Sequence, residues 1–225
     1  MTTQLRLELH CHTYRSMDSL LLPQALIAAA RRCSLDRVAI TDHNTIRGAQ
    51  EAAELAPDLI ILGEEILTTQ GELLAYFVRE EVPRGLSPRQ AIDRLRDQGA
   101  VISVSHPFDY ARRGAWAEDD LRAILPHIDA IEVFNSRCHT GAPNRRALEF
   151  ARQAGLPGTA GSDAHAAPEV GRGCLILPHF SDAEGFRKAL SRGEVQGRVS
   201  SPFVHLYSRY AVWRKMLGWQ ARPAP

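Results

Sequence analysis

Five short segments rich in imidazole and carboxylate, each at or just past an apolar run of strand length, constrain this chain more than any other feature. They are Leu9-His10-Cys11-His12, Thr41-Asp42-His43-Asn44, Gly63-Glu64-Glu65-Ile66, Ser105-His106-Pro107 and Gly161-Ser162-Asp163-Ala164-His165. Side chains two apart on a strand point to one face. His10 and His12 therefore face the same way with Cys11 turned from them, and Asp163 pairs with His165 across Ala164. The same geometry aims His43 at the site and sets Asp42 beside it, where it orients a ligand or a bound water. Asp42 is thus expected to be catalytic rather than ligating. One such histidine alone would read as structural, because short motifs match by chance. Five in succession describe a polynuclear metal site built from the ends of successive strands.

Between these segments lie helical patterns. Strand-like runs at 5–10, 37–41, 59–62, 73–78, 101–104, 130–134 and 174–177 alternate with helices expected over 23–33, 47–55, 87–98, 119–125, 144–154 and 182–190. Pro23 sits where a first helical turn lacks nothing by losing an N–H. Ser87 followed by Gln90 forms a capping box, and Gly99 and Gly155 supply the stops. Alternation of this kind implies an α/β fold with a parallel sheet. Seven or so units imply closure into a barrel, with 73–78 pairing back after a turn at Gly71. Barrels of parallel strands collect their functional residues at the C-terminal strand ends, where all five segments fall.

At 225 residues, 44% hydrophobic and 24% charged, the chain fits one globular domain. A net charge of +1 asks for neither nucleic acid nor an anionic membrane as an obligate partner. The four cysteines lack C-x-x-C spacing, no apolar run reaches the length of a membrane span, and the first residues lack the pattern of a signal peptide. A cytoplasmic location is expected. The donor set mixes nitrogen and oxygen without thiolate, which suits Mn, Fe or Zn better than Mg. His127, His139, His179 and His205 lie outside the pattern.

Taken together, His10-Cys-His12, Thr41-Asp-His43-Asn44, Glu65, Ser105-His106-Pro107 and Gly161-Ser-Asp163-Ala-His165 resemble the PHP family, named for polymerase and histidinol phosphatase. The resemblance runs from about Leu5 to Leu177. It implies a distorted (β/α)7 barrel with a metal site at the C-terminal ends of the strands, two or three divalent ions, and usually a phosphoesterase activity. It further implies His10, His12, Glu65 and Asp163 at one metal, with Glu65 bridging to a second that His106 also holds. A third would take His43 and His165, with Asp18 as the carboxylate. Two departures stand out. Ser16-Met17-Asp18-Ser19 carries one residue more than the family's frequent Ser-Asp-Gly. Glu72 stands where many members have His: either it replaces that imidazole and makes the second site richer in oxygen, or it is a solvated turn residue.

The expected chemistry is in-line attack of a metal-bound hydroxide on a phosphate monoester of a small molecule, a nucleotide or a nucleic-acid end. Asn135 and Arg137, just past 130–134, are expected to bind substrate, with Glu132 bracing Arg137; Arg112 and Arg113 form a second anion patch. Hydrolysis of an amide, or a catalytically quiet metal-binding barrel, are the alternatives. Residues 1–200 form the barrel domain and 201–225 a helical tail. In that tail Phe203, Leu206, Tyr207, Tyr210, Arg214 and Leu217 fall at helical spacing. The stripe is expected to dock the helix on the outside of the barrel. Stacking on single-stranded nucleic acid or lying on a membrane surface are its other readings. The oligomeric state is left open.

Overall fold

β1 (Gln4–Cys11) is the strand on which the sheet closes. In this computed structural model, which describes residues 4–112 and 114–220, β1 pairs in parallel with β2 (Arg37–Ile40), and β2 with β3 (Ile60–Leu67). β4 (Glu72–Tyr76) runs antiparallel to both β3 and β5 (Val101–Val104), as the turn at Gly71 predicts. β6 (Ala130–Asn135) and β7 (Gly158–Gly161) continue in parallel. The ring shuts where the Asp163 amide donates to the His10 carbonyl at 2.7 Å and the His12 amide to the Ala164 carbonyl at 2.8 Å. Seven strands thus form a distorted barrel.

Two further strands lie beside that ring. β8 (Gly173–Pro178) runs antiparallel to the first half of β1, and β9 (Glu194–Gly197) pairs with β8. Residues 162–172 are too few for the crossover that a parallel strand requires, so β8 returns antiparallel. β9, polar and mostly exposed, has no hydrophobic alternation to announce it.

The helices α1 (Pro23–Arg32), α2 (Arg47–Leu55), α3 (Pro88–Asp97), α4 (Glu118–Ile124), α5 (Ala142–Ala154) and α6 (Ala183–Ala189) account for all six predicted before the tail. Ser87 and Gln90 do form the reciprocal capping box of α3. Gly99 and Gly155 adopt φ of +78° and +67° just past α3 and α5, a left-handed cap that glycine takes without Cβ strain.

Leu7, Leu9, Leu74, Tyr76, Leu175 and Leu177 fill the lower barrel, where Phe180 and Phe186 close it. Each such side chain contributes about 1.5–3 kcal/mol when fully buried. A second apolar layer, with Leu26 and Ala49, joins α1 and α2 to the barrel, and a third, with Leu95, Leu121 and Phe150, joins α3, α4 and α5. A register shift in β1 between Glu8 and Cys11 lets the inward face change from Leu7 and Leu9 to His10 and His12. The barrel is therefore greasy below and polar above.

The tail forms α7 (His205–Met216), but its stripe is not what docks. Phe203, Leu206, Tyr207, Tyr210 and Leu217 are 48–76% exposed, while Ala211 and Val204 are buried on the other side. Polar contacts hold that side: Arg137 Nη2 donates to the Val204 carbonyl at 3.0 Å and Ser208 Oγ at 2.9 Å, and Lys215 Nζ donates to the Tyr14 carbonyl at 2.6 Å. No described helix is long and apolar enough to cross a membrane.

Candidate metal centre

The upper end of the barrel gathers all nine residues expected to ligate metal. His10 Nε2, His12 Nε2 and Asp163 Oδ1 converge on one point, and Glu65 Oε2 lies beside both imidazoles. His10 lies 3.1 Å from His12, 3.4 Å from Glu65 and 3.7 Å from Asp163, and His12 lies 3.5 Å from Glu65 and 3.2 Å from Asp163. Donors bound about 2.0–2.1 Å from a tetrahedral Zn ion lie roughly 3.3 Å from one another. The observed spacing fits such an ion.

Glu65 stands at the middle. Its Oε1 is 3.3 Å from His106 Nε2, and its Oε2 is 3.0 Å from His43 Nδ1. That Oε2 is buried yet accepts no hydrogen bond, an uncompensated oxygen of the kind a cation satisfies. Glu72 is nearly buried and places Oε2 3.8 Å from His106 Nε2, so it faces the site rather than solvent. Asp18 Oδ2 lies 3.0 Å from His165 Nε2 and 3.6 Å from His43 Nε2. Four overlapping groups could each hold an ion: His10–His12–Asp163, His10–Glu65–His106, His43–Glu65–Glu72 and His12–His43–His165.

The charges reinforce one another. Burial opposes ionisation of Glu65, but His10 and His43 hold its carboxyl well below the usual carboxylate range. Burial opposes the charge of Asp163 as well, and Arg112 and His10 outweigh it. His10 is raised well above its ordinary value, since Glu65 and Asp163 overcome its burial, whereas burial and the neighbouring His165 and His43 lower His12 to about 3. The two Nε2 atoms stand 3.1 Å apart, and a divalent ion bound by both would require both imidazoles to be neutral.

Local structure sets these aims more than pleating does. β2 ends at Ile40 and β7 at Gly161, so His43, Asp163 and His165 lie past their strands. Asp163 has φ of +55°, a left-handed turn rather than a strand residue. The even spacing read from the sequence brings Asp163 and His165 together through that turn. Close approach is granted by Gly161, where a Cβ would lie 2.2 Å from His10 Cβ.

Other residues brace the donors. Glu132 Oε1 takes His10 Nδ1 at 2.9 Å, and its Oε2 accepts the His106 amide at 2.8 Å. Expected to brace Arg137, Glu132 instead fixes two of the histidines. Asp42, expected to be catalytic, is buried outside the cavity. Its oxygens accept from the Thr13 amide at 2.7 Å, Ser16 Oγ at 2.6 Å and Thr13 Oγ1 at 2.6 Å. Asp42 holds the loop after β1, with Ser16 Oγ in turn 3.2 Å from His12 Nδ1. Its short spacing to Thr13 and Ser16 in space is invisible in sequence, where β2 intervenes.

Seven of the donors, all but His10 and His12, line a cavity of about 360 Å³, on whose wall stand Arg112 and Arg137. Arg137 is buried, with Nε 3.3 Å from Glu169 Oε2 and Nη1 against His165 Nδ1. Arg112 pairs with Asp163 and, at 3.0 Å, with Asp109. Asn135, expected to bind substrate, does not line the cavity. Its amide donates to Glu132 and Asp163 at 3.2 Å each, and its oxygen accepts the Arg137 amide at 2.9 Å. Arg113 lies outside the described residues. His139 and His205, set aside in the sequence, stack at 4.3 Å on the cavity rim beside Ser208. His205 joins it at the start of α7 and His139 from the loop between β6 and α5, where no local pattern places them.

A family model described as the PHP domain matches residues 8–82, and one described as PHP-associated matches 141–195. Two proteins of Methanocaldococcus jannaschii, each described as uncharacterized, are similar to the chain. The first is 38% identical over 172 residues, covering 74% of this chain and 68% of the relative. The second is 34% identical over 157 residues, covering 64% of this chain and 90% of the relative. Among solved structures, a Bacteroides vulgatus two-domain protein containing a predicted PHP-like metal-dependent phosphoesterase shares the fold, with a TM-score of 0.73 at 22% identity. The likeness covers 88% of this chain and 66% of that one. A lesion-specific endonuclease from Pyrococcus furiosus has a TM-score of 0.60 at 14% identity, covering 86% of this chain and 58% of its own.

Proposed function

The chain belongs to the PHP family, and from its donor cluster we propose that it is a metal-dependent phosphoesterase that hydrolyses phosphate monoesters. His10, His12, Asp163 and Glu65 would hold one divalent ion. Glu65, His106 and Glu72 would hold a second, and His43, His165 and Asp18 a third, with Mn, Fe or Zn suited to the mixed donors. Bound there, the ions would supply a water of lowered pKa and neutralise charge on phosphoryl oxygens. The chain's own residues do the rest. Glu132 keeps His10 in one tautomer, Ser105 Oγ donates to Glu65 Oε1 at 2.6 Å and fixes its rotation, and the buried donors exclude bulk water.

One observation carries the reading: two arginines, Arg112 and Arg137, stand on the wall of the cavity lined by seven of the donors. Guanidinium groups match phosphoryl oxygens in geometry and charge, whereas an uncharged amide would offer them a single carbonyl oxygen and no charge. Arg137 is held in place by Glu169, the Val204 carbonyl and Ser208. The stacked His139–His205 pair offers a flat face to an aromatic leaving group, which favours a nucleotide or oligonucleotide end over an aliphatic phosphate. Four free thiols fit a reducing cytoplasm.

The test is phosphate release by the Mn-loaded protein from a panel of a 3′,5′-bisphosphonucleoside, a 5′-phosphorylated short RNA, histidinol phosphate and an aryl phosphate. Release from at least one member is expected, and Arg137→Met should lower kcat/KM on it by about 10²-fold. Bound metal without release from any member would sink the phosphoesterase reading.

A further inference from the structure

We propose that the exposed face of α7 packs against the same face of a second copy of this chain. Of its own twelve residues, α7 buries only Ala211. A helix of this length is marginal by itself, since most helical stability in proteins comes from packing one apolar face. The large apolar side chains of α7 are on the outside. Seven of the twelve large apolar side chains exposed among the described residues fall between Phe203 and Leu217.

Their spacing is that of a helix seam. Phe203, Leu206, Tyr210, Trp213 and Leu217 follow one another at intervals of three, four, three and four residues, the pattern that brings one row of side chains against a partner helix. The seven exposed side chains offer on the order of 800 Å², one partner's share of a standard protein interface. An antiparallel pair centred on Tyr210 would set Phe203 of one copy opposite Leu217 of the other and Tyr210 opposite itself, with Trp213 meeting Tyr207 at the edge of the seam and Leu206 meeting the stem of Arg214. The seam thus complements itself, which a two-fold contact requires.

Residues 195–225 contain five basic side chains and no acidic one, which by itself would suit an anionic partner. The seam argues otherwise. Leu206, Met216 and Leu217 interrupt the aromatics and give a nucleic acid nothing to stack upon, whereas the three-four spacing suits a partner helix. Arg214 lies against the Tyr210 ring, 6.0 Å from its centroid, with its stem over apolar surface.

The experiment is light-scattering mass determination on the full, metal-loaded chain at micromolar concentration, beside the double variant Leu206→Asp, Trp213→Asp. The wild type should have the mass of two chains and the variant that of one, with an unchanged circular dichroism spectrum. Should the variant fail to fold, Tyr210→Cys tests the same contact: mild oxidation should link two copies through position 210, while Asp93→Cys on α3 should link none. A monomeric wild type overturns the proposal, as does a folded variant that remains a dimer. Binding of single-stranded RNA or phosphatidylglycerol vesicles by a monomeric wild type, lost in the variant, would assign the face to those partners instead.

Discussion

Glu132 shows how a residue outside the donor set governs it. It spans His10 Nδ1 and the His106 amide, so both imidazoles are aimed by one carboxylate. Glu132→Gln keeps the shape but weakens the grip on the His10 tautomer. Metal affinity should fall about 10–100-fold, read by competition with a chelating dye, and an unchanged affinity would remove Glu132 from the support of the site. Glu64, the next residue before the central Glu65, serves no donor. It accepts the Val82 amide at 3.0 Å, and its other oxygen is buried without a partner. Burial, with the charge of Glu81 adding to it, pushes its carboxyl up from 4.5 to about 8. Between those values the folded chain keeps a proton that the unfolded chain has lost, so this group's contribution to stability falls as pH rises. Glu64→Gln removes the cost of ionisation. Its melting temperature should exceed that of the wild type at pH 8 and approach it at pH 5; an equal gap at both would mean that Glu64 does not titrate in that window.

At the scale of elements, the closure between β1 and β7 matters most, because it carries donors from both sides. Gly161 has no room for a methyl group against His10 Cβ, and both atoms belong to strands that cannot slide apart cheaply. Gly161→Ala should cost about 1–3 kcal/mol, measured as a shift of the urea midpoint, and should also weaken metal binding because His10 is displaced. A midpoint shift without loss of affinity would mean that the strands yield elsewhere. The helices tell a simpler story. Their caps and apolar spacing are local, which is why α3, with Ser87, Gln90 and Gly99, was legible from the residues alone. β9 was not, since a polar exposed strand owes its existence to β8 beside it.

For the whole molecule, the donor cluster leaves buried oxygens of Glu65 and Asp18 without partners, a cost that bound metal would relieve. Ions that bind the fold and not the unfolded chain raise stability by about 2.7 kcal/mol at a hundred times their dissociation constant. Treatment with a chelator should therefore lower the melting temperature, and re-addition of Mn should restore it. Coincident melts with and without chelator would mean that the cluster holds no ion. The sequence by itself determined the alternation of strands and helices and the identity of the candidate donors, because periodicity, caps and short motifs are properties of neighbouring residues. Only the tertiary structure decided that Glu72 faces the site, that Asp42 braces a loop instead of reaching the cavity, and that Glu132 serves His10 and His106. It also decided that His139 and His205 reach the rim and that the aromatic face of α7 points outward. Each of these depends on contacts between residues far apart in the chain, where packing and the bulge in β1 choose which side of an element is turned to the site.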